Sequence, residues 1–248
     1  MALPLPPGLL PSEVSFLCEM EMVTIVPRQK LDPIPLLSGN TPSLRPPHRV
    51  DVPLWLALLL KKQRRANIVP PPWLHPVSLQ EIVHYETHIE PTSFSPPPPV
   101  PSHADPKAPG TSRKISTKDT ILSPPFLPSN TSRAPSNYLP YHWFEMAETL
   151  LAQAADDIPQ SPEVRRLVRD LQEVRAAKMR GGMTSLGRGH GIASLCGVGA
   201  MELAESRGFM LGVVDGVRQI GTSMETTRRE EEEAGGAVDN NSDEEMEF

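Results

Sequence analysis

The sequence predicts an α+β protein, mainly α, in which a small N-terminal β-rich domain precedes a helical bundle domain. Three observations predict it. Met22 to Val26 is a β-branched, apolar run closed by Pro27, and proline cannot donate to a sheet ladder. Apolar residues recur at three- and four-residue spacing from Tyr141 to Ile158 and again from Val164 to Val174, the period of a helix with one buried face. Between these halves lie 13 of the 30 prolines, within Pro91 to Pro140, a composition too broken to pack.

From the N-terminus, residues 1–11 are expected as a disordered extension and residues 12–76 as the β-rich domain. Ser12 to Met20 is expected as a short amphipathic helix with Ser12 as N-cap and Val14, Phe16, Leu17 and Met20 as its apolar positions. After the strand at Met22, Ile34 to Leu37 is a weaker strand candidate closed by Ser38-Gly39-Asn40. Pro53 suits the first turn of a helix, Leu54 to Arg65 supplies strong helix formers, and Ala66 to Val69 returns to strand character. A module of this size buries only a modest core and leans on a neighbour.

Ser78-Leu79-Gln80-Glu81 reads as a capping box, which starts the first helix of the α domain, residues 77–90. Residues 91–137 are expected as a Pro-rich disordered insertion. The helical domain, residues 138–222, resumes with Trp143, Met146, Ala147, Leu150, Leu151 and Ala154 on one stripe. Pro159 stops that helix, and Ser161-Pro162 starts another with Ser161 as N-cap and Val164, Leu167, Val168, Leu171 and Val174 inward. So short a connection predicts antiparallel packing. Gly181 to Gly199 is too glycine-rich for a helix interior, at about 1 kcal/mol per glycine, and is expected as a loop or a frayed helix end. A last helix from about Met201 carries Phe209, Val213, Val217 and Ile220 on one face.

Composition removes several function classes. Cys18 and Cys196 are the only cysteines, with no CxxC partner or histidine at ligand spacing, which predicts a reducing compartment. Prolines in Met1 to Pro11 interrupt the apolar core a signal peptide needs. Val52 to Leu60, broken by Pro53, is under half of the roughly 20 residues that span a bilayer; no membrane role is expected. The net charge of −6 comes from an acidic tail expected to be disordered, residues 223–248, whose Glu225 to Phe248 holds ten acidic and two basic residues, leaving +2 for the rest. A near-neutral body argues against tight DNA binding, which needs many phosphate contacts.

Four local patterns invite chemistry, and each has a plainer account. His84 and His88 are one helical turn apart, yet a zinc-peptidase helix has glutamate directly after the first histidine; here it comes one place later, and a solvated face is expected. Glycines 187, 189, 191, 197 and 199 fit neither G-x-G-x-x-G after a strand nor a Gly-Lys-Ser/Thr loop. Asp156-Asp157 before Pro159 is expected to end a helix in solvent. No enzyme activity, metal or cofactor is expected. Lys61, Lys62, Arg64 and Arg65 form the basic cluster that would meet nucleic acid or an acidic partner, although cations at a helix C-terminus are favourable by themselves, by about 0.3 to 1 kcal/mol. Ser242-Asp243-Glu244-Glu245 has the form read by acid-directed kinases, with Ser242 as the candidate site.

For assembly, the candidate subunit-interface residues are Leu54, Trp55 and Leu56, the helical set Leu150, Leu151, Leu167, Val168 and Leu171, and Phe209. The apolar helices and small cores suit a chain stabilised by partners.

Several collinear motifs carry a family resemblance. EMVTIVP (Glu21 to Pro27), VPLWLALLLKK (Val52 to Lys62) and IVPPPWL (Ile68 to Leu74) come first, followed by YHWFEMAETLLAQAADDIP (Tyr141 to Pro159), EVRRLVRDL (Glu163 to Leu171) and VRAAKMR (Val174 to Arg180). The chain resembles subunits of the eukaryotic GINS replication complex, of the Psf-two type, over roughly Ser12 to Glu90 and Tyr138 to Ile220. The Pro-rich insertion is longer than that family's usual connection. The resemblance implies a non-catalytic scaffold in a heterotetramer with three other GINS subunits. It also implies a nuclear location and a place in the replicative CMG helicase, beside the MCM ring and its RecJ-like Cdc partner, with DNA polymerase epsilon met through the complex and DNA indirectly or weakly. The competing reading of the residues alone is a stand-alone helical adaptor that binds single-stranded DNA.

Overall fold

The computed structural model describes residues 8–37, 39–98, 134–187 and 195–239. The chain divides into a larger unit, residues 1–180 with 194–205, and a second unit, residues 181–193 with 206–248.

In the larger unit a three-stranded antiparallel sheet has β1 (Met22–Pro27) at its centre, flanked by β4 (Val50–Pro53) and β5 (Ala66–Ile68). Val23 lies opposite Val52 and Ile25 opposite Ile68. The strand alternates as its period of two requires, with Val23 and Ile25 buried. β4 was hidden in the sequence because its four residues run straight into a helix: Pro53 ends the strand and caps α2 (Leu54–Lys62) rather than opening its first turn. The candidate strand near Ile34 reduces to a small hairpin, β2 (Pro35–Leu36) with β3 (Gly39–Asn40), so that Gly39 and Asn40 are the return strand.

Two helix starts differ from expectation for one reason: proline at the first helical position has its φ already set and no N–H to leave unpaired. α1 (Pro11–Cys18) begins at Pro11 with Leu10 as N-cap, and the Glu13 carboxylate accepts from the Leu10 N–H at 2.7 Å. Val14 and Cys18 face inward, whereas Phe16, Leu17 and Met20 are exposed. α3 (Pro76–His84) begins at Pro76 with His75 as N-cap, and Ser78 lies buried inside it; no capping box forms there. A π-helical turn, Tyr85–Ile89, continues α3.

The helical half supplies α4 (Trp143–Gln153) and α5 (Ser161–Gly187). Gln160, at φ 51°, turns the chain, and its carbonyl accepts from Val164, so Ser161 is already helical. α5 runs on through Gly181 and Gly182 to Gly187, into the stretch expected as a loop or a frayed helix end: a helix nucleated over twenty preceding residues propagates through glycine at a cost of about 1 kcal/mol each. α6 (Ala200–Asp239) likewise passes residue 222 into the acidic stretch, whose Met, Glu, Arg and Ala are good helix formers.

One core serves both halves of the larger unit. Val23, Ile25, Leu54 and Ile68 from the β-rich side join Trp73, Leu79, Trp143, Met146, Leu150, Val164 and Leu171 in a single buried cluster. Leu54 and Trp55 also tie α2 to α1, their amides donating to the Glu21 and Glu19 carbonyls at 2.8 and 3.2 Å.

Candidate interaction surfaces and the ion network behind them

The interface candidates separate into core and surface. Leu54, Leu56, Leu150, Leu151, Leu167, Val168 and Leu171 are all buried within the chain. Side chains enclosed in this way have no area left for a partner, so this part of the expectation is corrected: they shape the helices that carry a surface. Trp55 is half-buried and Phe209 is exposed.

In α6 the exposed apolar residues run well beyond Phe209. Leu211, Val217, Ile220 and Met224 are exposed too, Ile220 at 62% and Met224 at 69%. Phe209, Val213, Val217, Ile220 and Met224 follow helical spacing along one stripe. Gly208, Gly212 and Gly216 run beside it, and a Cβ added at any of them would meet nothing within 4 Å among the described residues.

The basic cluster splits as well. Lys61 is not free: its Nζ lies 2.6 Å from Asp156 Oδ2 and 2.8 Å from Asp157 Oδ2. Asp157 Oδ2 also accepts from the Ile68 amide at 2.7 Å, fastening α2 and β5 to the turn after α4. The aspartates expected to end a helix in solvent are therefore a clasp. Partial burial disfavours the Lys61 ammonium, but its hydrogen bonds to Asp156 and Asp157 outweigh that and hold its pKa above the ordinary lysine value. The Lys61 hydrogen bond, with the Lys61 charge adding to it and burial opposing, holds the Asp156 carboxyl below the usual carboxylate value. Lys62, Arg64 and Arg65 are exposed, and no carboxylate among the described residues pairs with them.

Sequence reasoning missed the most buried ion pair among the described residues. Arg175 and Glu86 side chains are both fully enclosed and pair directly. Arg175 Nε donates to Glu202 Oε1 at 2.6 Å, and its Nη2 donates to Glu202 Oε2 at 3.0 Å and to the Gly197 carbonyl at 2.6 Å. Glu86 Oε1 also accepts from the Ser95 amide and hydroxyl at 3.0 and 2.8 Å. The Phe94 ring lies under the guanidinium, 4.8 Å from ring centroid to Cζ. Lys178 adds bonds to the Glu90 and Ser93 carbonyls at 2.9 and 2.6 Å. Burial disfavours the Arg175 cation, but Glu202 and Glu86 more than offset this and raise its pKa. Residues 91–98, read as the start of the insertion, thus include a buried serine bound to an ion network.

The signal for this network was present. Arg175 continues the 164, 168, 171 stripe at four-residue spacing, and Glu86 continues 79 and 82 in the same way. A charge at a core register needs a buried partner. Gly197 answers to the same site: at φ 82°, a Cβ there would fall on the Ser95 carbonyl.

His84 and His88 are exposed and stacked at 4.7 Å, and no group able to hold a metal occurs among the described residues. No helix among the described residues is long and apolar enough to cross a membrane. Ser242 lies outside the described residues.

Comparison with known proteins agrees with this architecture. Residues 10–69 match the family model for the PSF2 N-terminal domain, and residues 112–221 match that for the GINS complex protein helical bundle domain. The chain is 66% identical over 229 residues to the DNA replication complex GINS protein PSF2 of Gibberella zeae, covering 92% of this chain and 91% of that protein. It is 59% identical over 246 residues to the psf2 protein of Neurospora crassa, covering 92% and 90%. The Schizosaccharomyces pombe psf2 protein is 32% identical over 210 residues, covering 85% and 90%. With both halves matched in order and nearly the whole length aligned, the chain belongs to the PSF2 family of GINS-complex proteins.

Proposed function

We propose that this chain is a non-catalytic structural subunit of a nuclear GINS heterotetramer, assembled with three other GINS subunits. Through that complex it serves in the CMG helicase with the MCM ring and its RecJ-like Cdc partner, in initiation and elongation of DNA replication. DNA polymerase epsilon is reached through the complex, and DNA is met indirectly or weakly.

The observation that carries the reading is the bare face of α6. Three glycines at 208, 212 and 216 weaken a helix by about 1 kcal/mol each relative to alanine, and Phe209, Val217 and Ile220 beside them are exposed. A helix of this kind gains its stability when another apolar surface covers the stripe, and the glycines let that surface approach closely. At 1.5 Å per residue, a 40-residue helix is about 60 Å long, ample for an inter-subunit contact. Membership of the PSF2 family supports the other GINS subunits as the partners.

Co-expression with the other three GINS subunits, followed by size-exclusion chromatography with mass determination, tests this. A 1:1:1:1 complex is expected. A well-behaved monomer that ignores the three partners would overturn the reading and favour the single-stranded DNA adaptor.

A further inference from the structure

We infer that the outer face of α2, together with the turn that follows it, is a second docking surface, separate from α6, for an acidic amphipathic segment of a partner protein. Trp55, Leu59 and Lys62 stand at positions i, i+4 and i+7 of α2; Leu59 and Lys62 are exposed, whereas Trp55 is half-buried and packs in part against the core. Leu59 is 45% exposed. The α2 start abuts the α1 end through the Trp55 amide and the Glu19 carbonyl. There Phe16 and Met20 are 68% and 66% exposed. Exposed apolar side chains of the α1 end thus lie near the start of α2, and cations at its end.

The turn shows that the cations are held in place. The Arg65 amide donates to the Leu60 carbonyl at 2.9 Å and the Arg64 amide to the Lys61 carbonyl at 2.8 Å. This is the paired closure that ends many helices with glycine in the left-handed position. Here that position is Arg64, at φ 58°, where an L side chain is strained. The Arg28 amide donates to the Arg65 carbonyl at 2.8 Å, and its Nε donates to Asn67 Oδ1 at 2.7 Å, adding a further oriented guanidinium. Lys61 is taken by the aspartates, so Lys62, Arg64, Arg65 and Arg28 are the outward charges. Strain retained at an exposed arginine points to use of its side chain.

Charge complementarity and the apolar strip select the occupant. Nucleic acid would use the cations and leave the Leu59 and Phe16 side uncovered, and four cations supply few of the phosphate contacts that tight nucleic-acid binding needs. A segment with apolar anchors followed by carboxylates covers both ends, with Arg forks receiving the carboxylates.

The test is a photo-crosslinking amino acid at Leu59, in the full-length chain within the co-expressed four-subunit complex, incubated in nuclear extract with and without nuclease. The crosslinked peptide is sequenced by mass spectrometry. The expected product is a nuclease-resistant protein adduct to an apolar segment flanked by at least three acidic residues within about one helical turn or two. Its yield should fall at least tenfold in R64G and in R65S, and fall again between 50 and 500 mM salt. R64G carries the decisive contrast: relief of the left-handed strain raises the thermal midpoint by about 2–4 °C while the adduct is lost. A nuclease-sensitive adduct, a peptide without acidic flanks, no adduct, or an R64G chain that crosslinks as before would each overturn the inference. Chromatographic assembly is scored separately, so failure of the tetramer is distinguishable from failure of this surface.

Discussion

Replacing Arg175 by methionine isolates the worth of the buried ion network. Methionine keeps the stem of the side chain, so packing changes little, but the carboxylate of Glu86, with 0% of its side chain exposed, loses its cation. Among the described residues, Lys178 at 3.4 Å is the cation that remains paired with it. Removing one member of a buried pair typically costs about 3–5 kcal/mol, because the other charge is left uncompensated. For a chain of this size that is a midpoint shift of roughly 10 °C, at about 2–4 °C per kcal/mol. The Glu202 carboxylate, 11% exposed, loses the same cation. Adding Glu86→Gln removes the more buried of the two stranded charges and keeps an oxygen to accept from the Ser95 amide and hydroxyl, so the double variant should recover about half the loss. Denaturant unfolding at fixed protein concentration measures both, and hydrogen exchange at the Ser95 amide should quicken in R175M and slow again in the double variant. A cost below about 1 kcal/mol for R175M, or a double variant no better than the single, would refute the account.

Other outcomes follow from the same geometry. Val217→Glu with Ile220→Glu should abolish assembly with the other GINS subunits in size-exclusion chromatography while the far-ultraviolet circular dichroism of the larger unit persists. Gly197→Ala should destabilise by about 2 kcal/mol or more in denaturant unfolding, since alanine pays about 1–2 kcal/mol in the left-handed region before meeting the Ser95 carbonyl. Leu171→Ala, at a fully buried position, should cost about 2–5 kcal/mol in the same assay. The Lys61 clasp should depend on pH at both ends. The depressed Asp156 pKa gives stability present above its unfolded value of about 3.9 and lost as pH falls through the folded one. The raised Lys61 pKa gives stability present below about 10.4 and lost as pH rises through the folded value. K61M should flatten both limbs of a thermal-midpoint profile against pH.

Periodicity found the elements that bury an apolar face, and it failed where a second force set the boundary. α4, α5 and the strand at Met22 were legible because Leu150, Leu171 and Ile25 repeat at the period of the element that buries them. β4 was not, since Asp51 and Pro53 hide its alternation; the Asp51 carboxylate is occupied by the Thr24 hydroxyl at 2.6 Å. The glycines at 181 and 182 argued for a loop on intrinsic propensity, which a helix already anchored by Leu167, Leu171 and Arg175 overrides. Interface residues were chosen by hydrophobicity, and hydrophobicity alone cannot distinguish Leu150, which is enclosed, from Phe209, which is bare. Lys61 and Lys62 were equal in the sequence; only the fold brings Asp156 and Asp157, some 95 residues away, to one of them.

The single core shared by both halves of the larger unit bears on synthesis. The β-rich half is complete at about residue 90, but Trp143, Leu150, Val164 and Leu171, which finish its core, lie up to 81 residues further along. At about 5–20 residues per second the ribosome delivers them roughly 4 to 16 seconds later. During that interval Trp73, Leu79 and the inner side of the sheet lack the part of their cover that Trp143, Leu150, Val164 and Leu171 supply. Nascent chains of this length should be the ones that hold chaperones, and release should coincide with emergence of α5 from the exit tunnel.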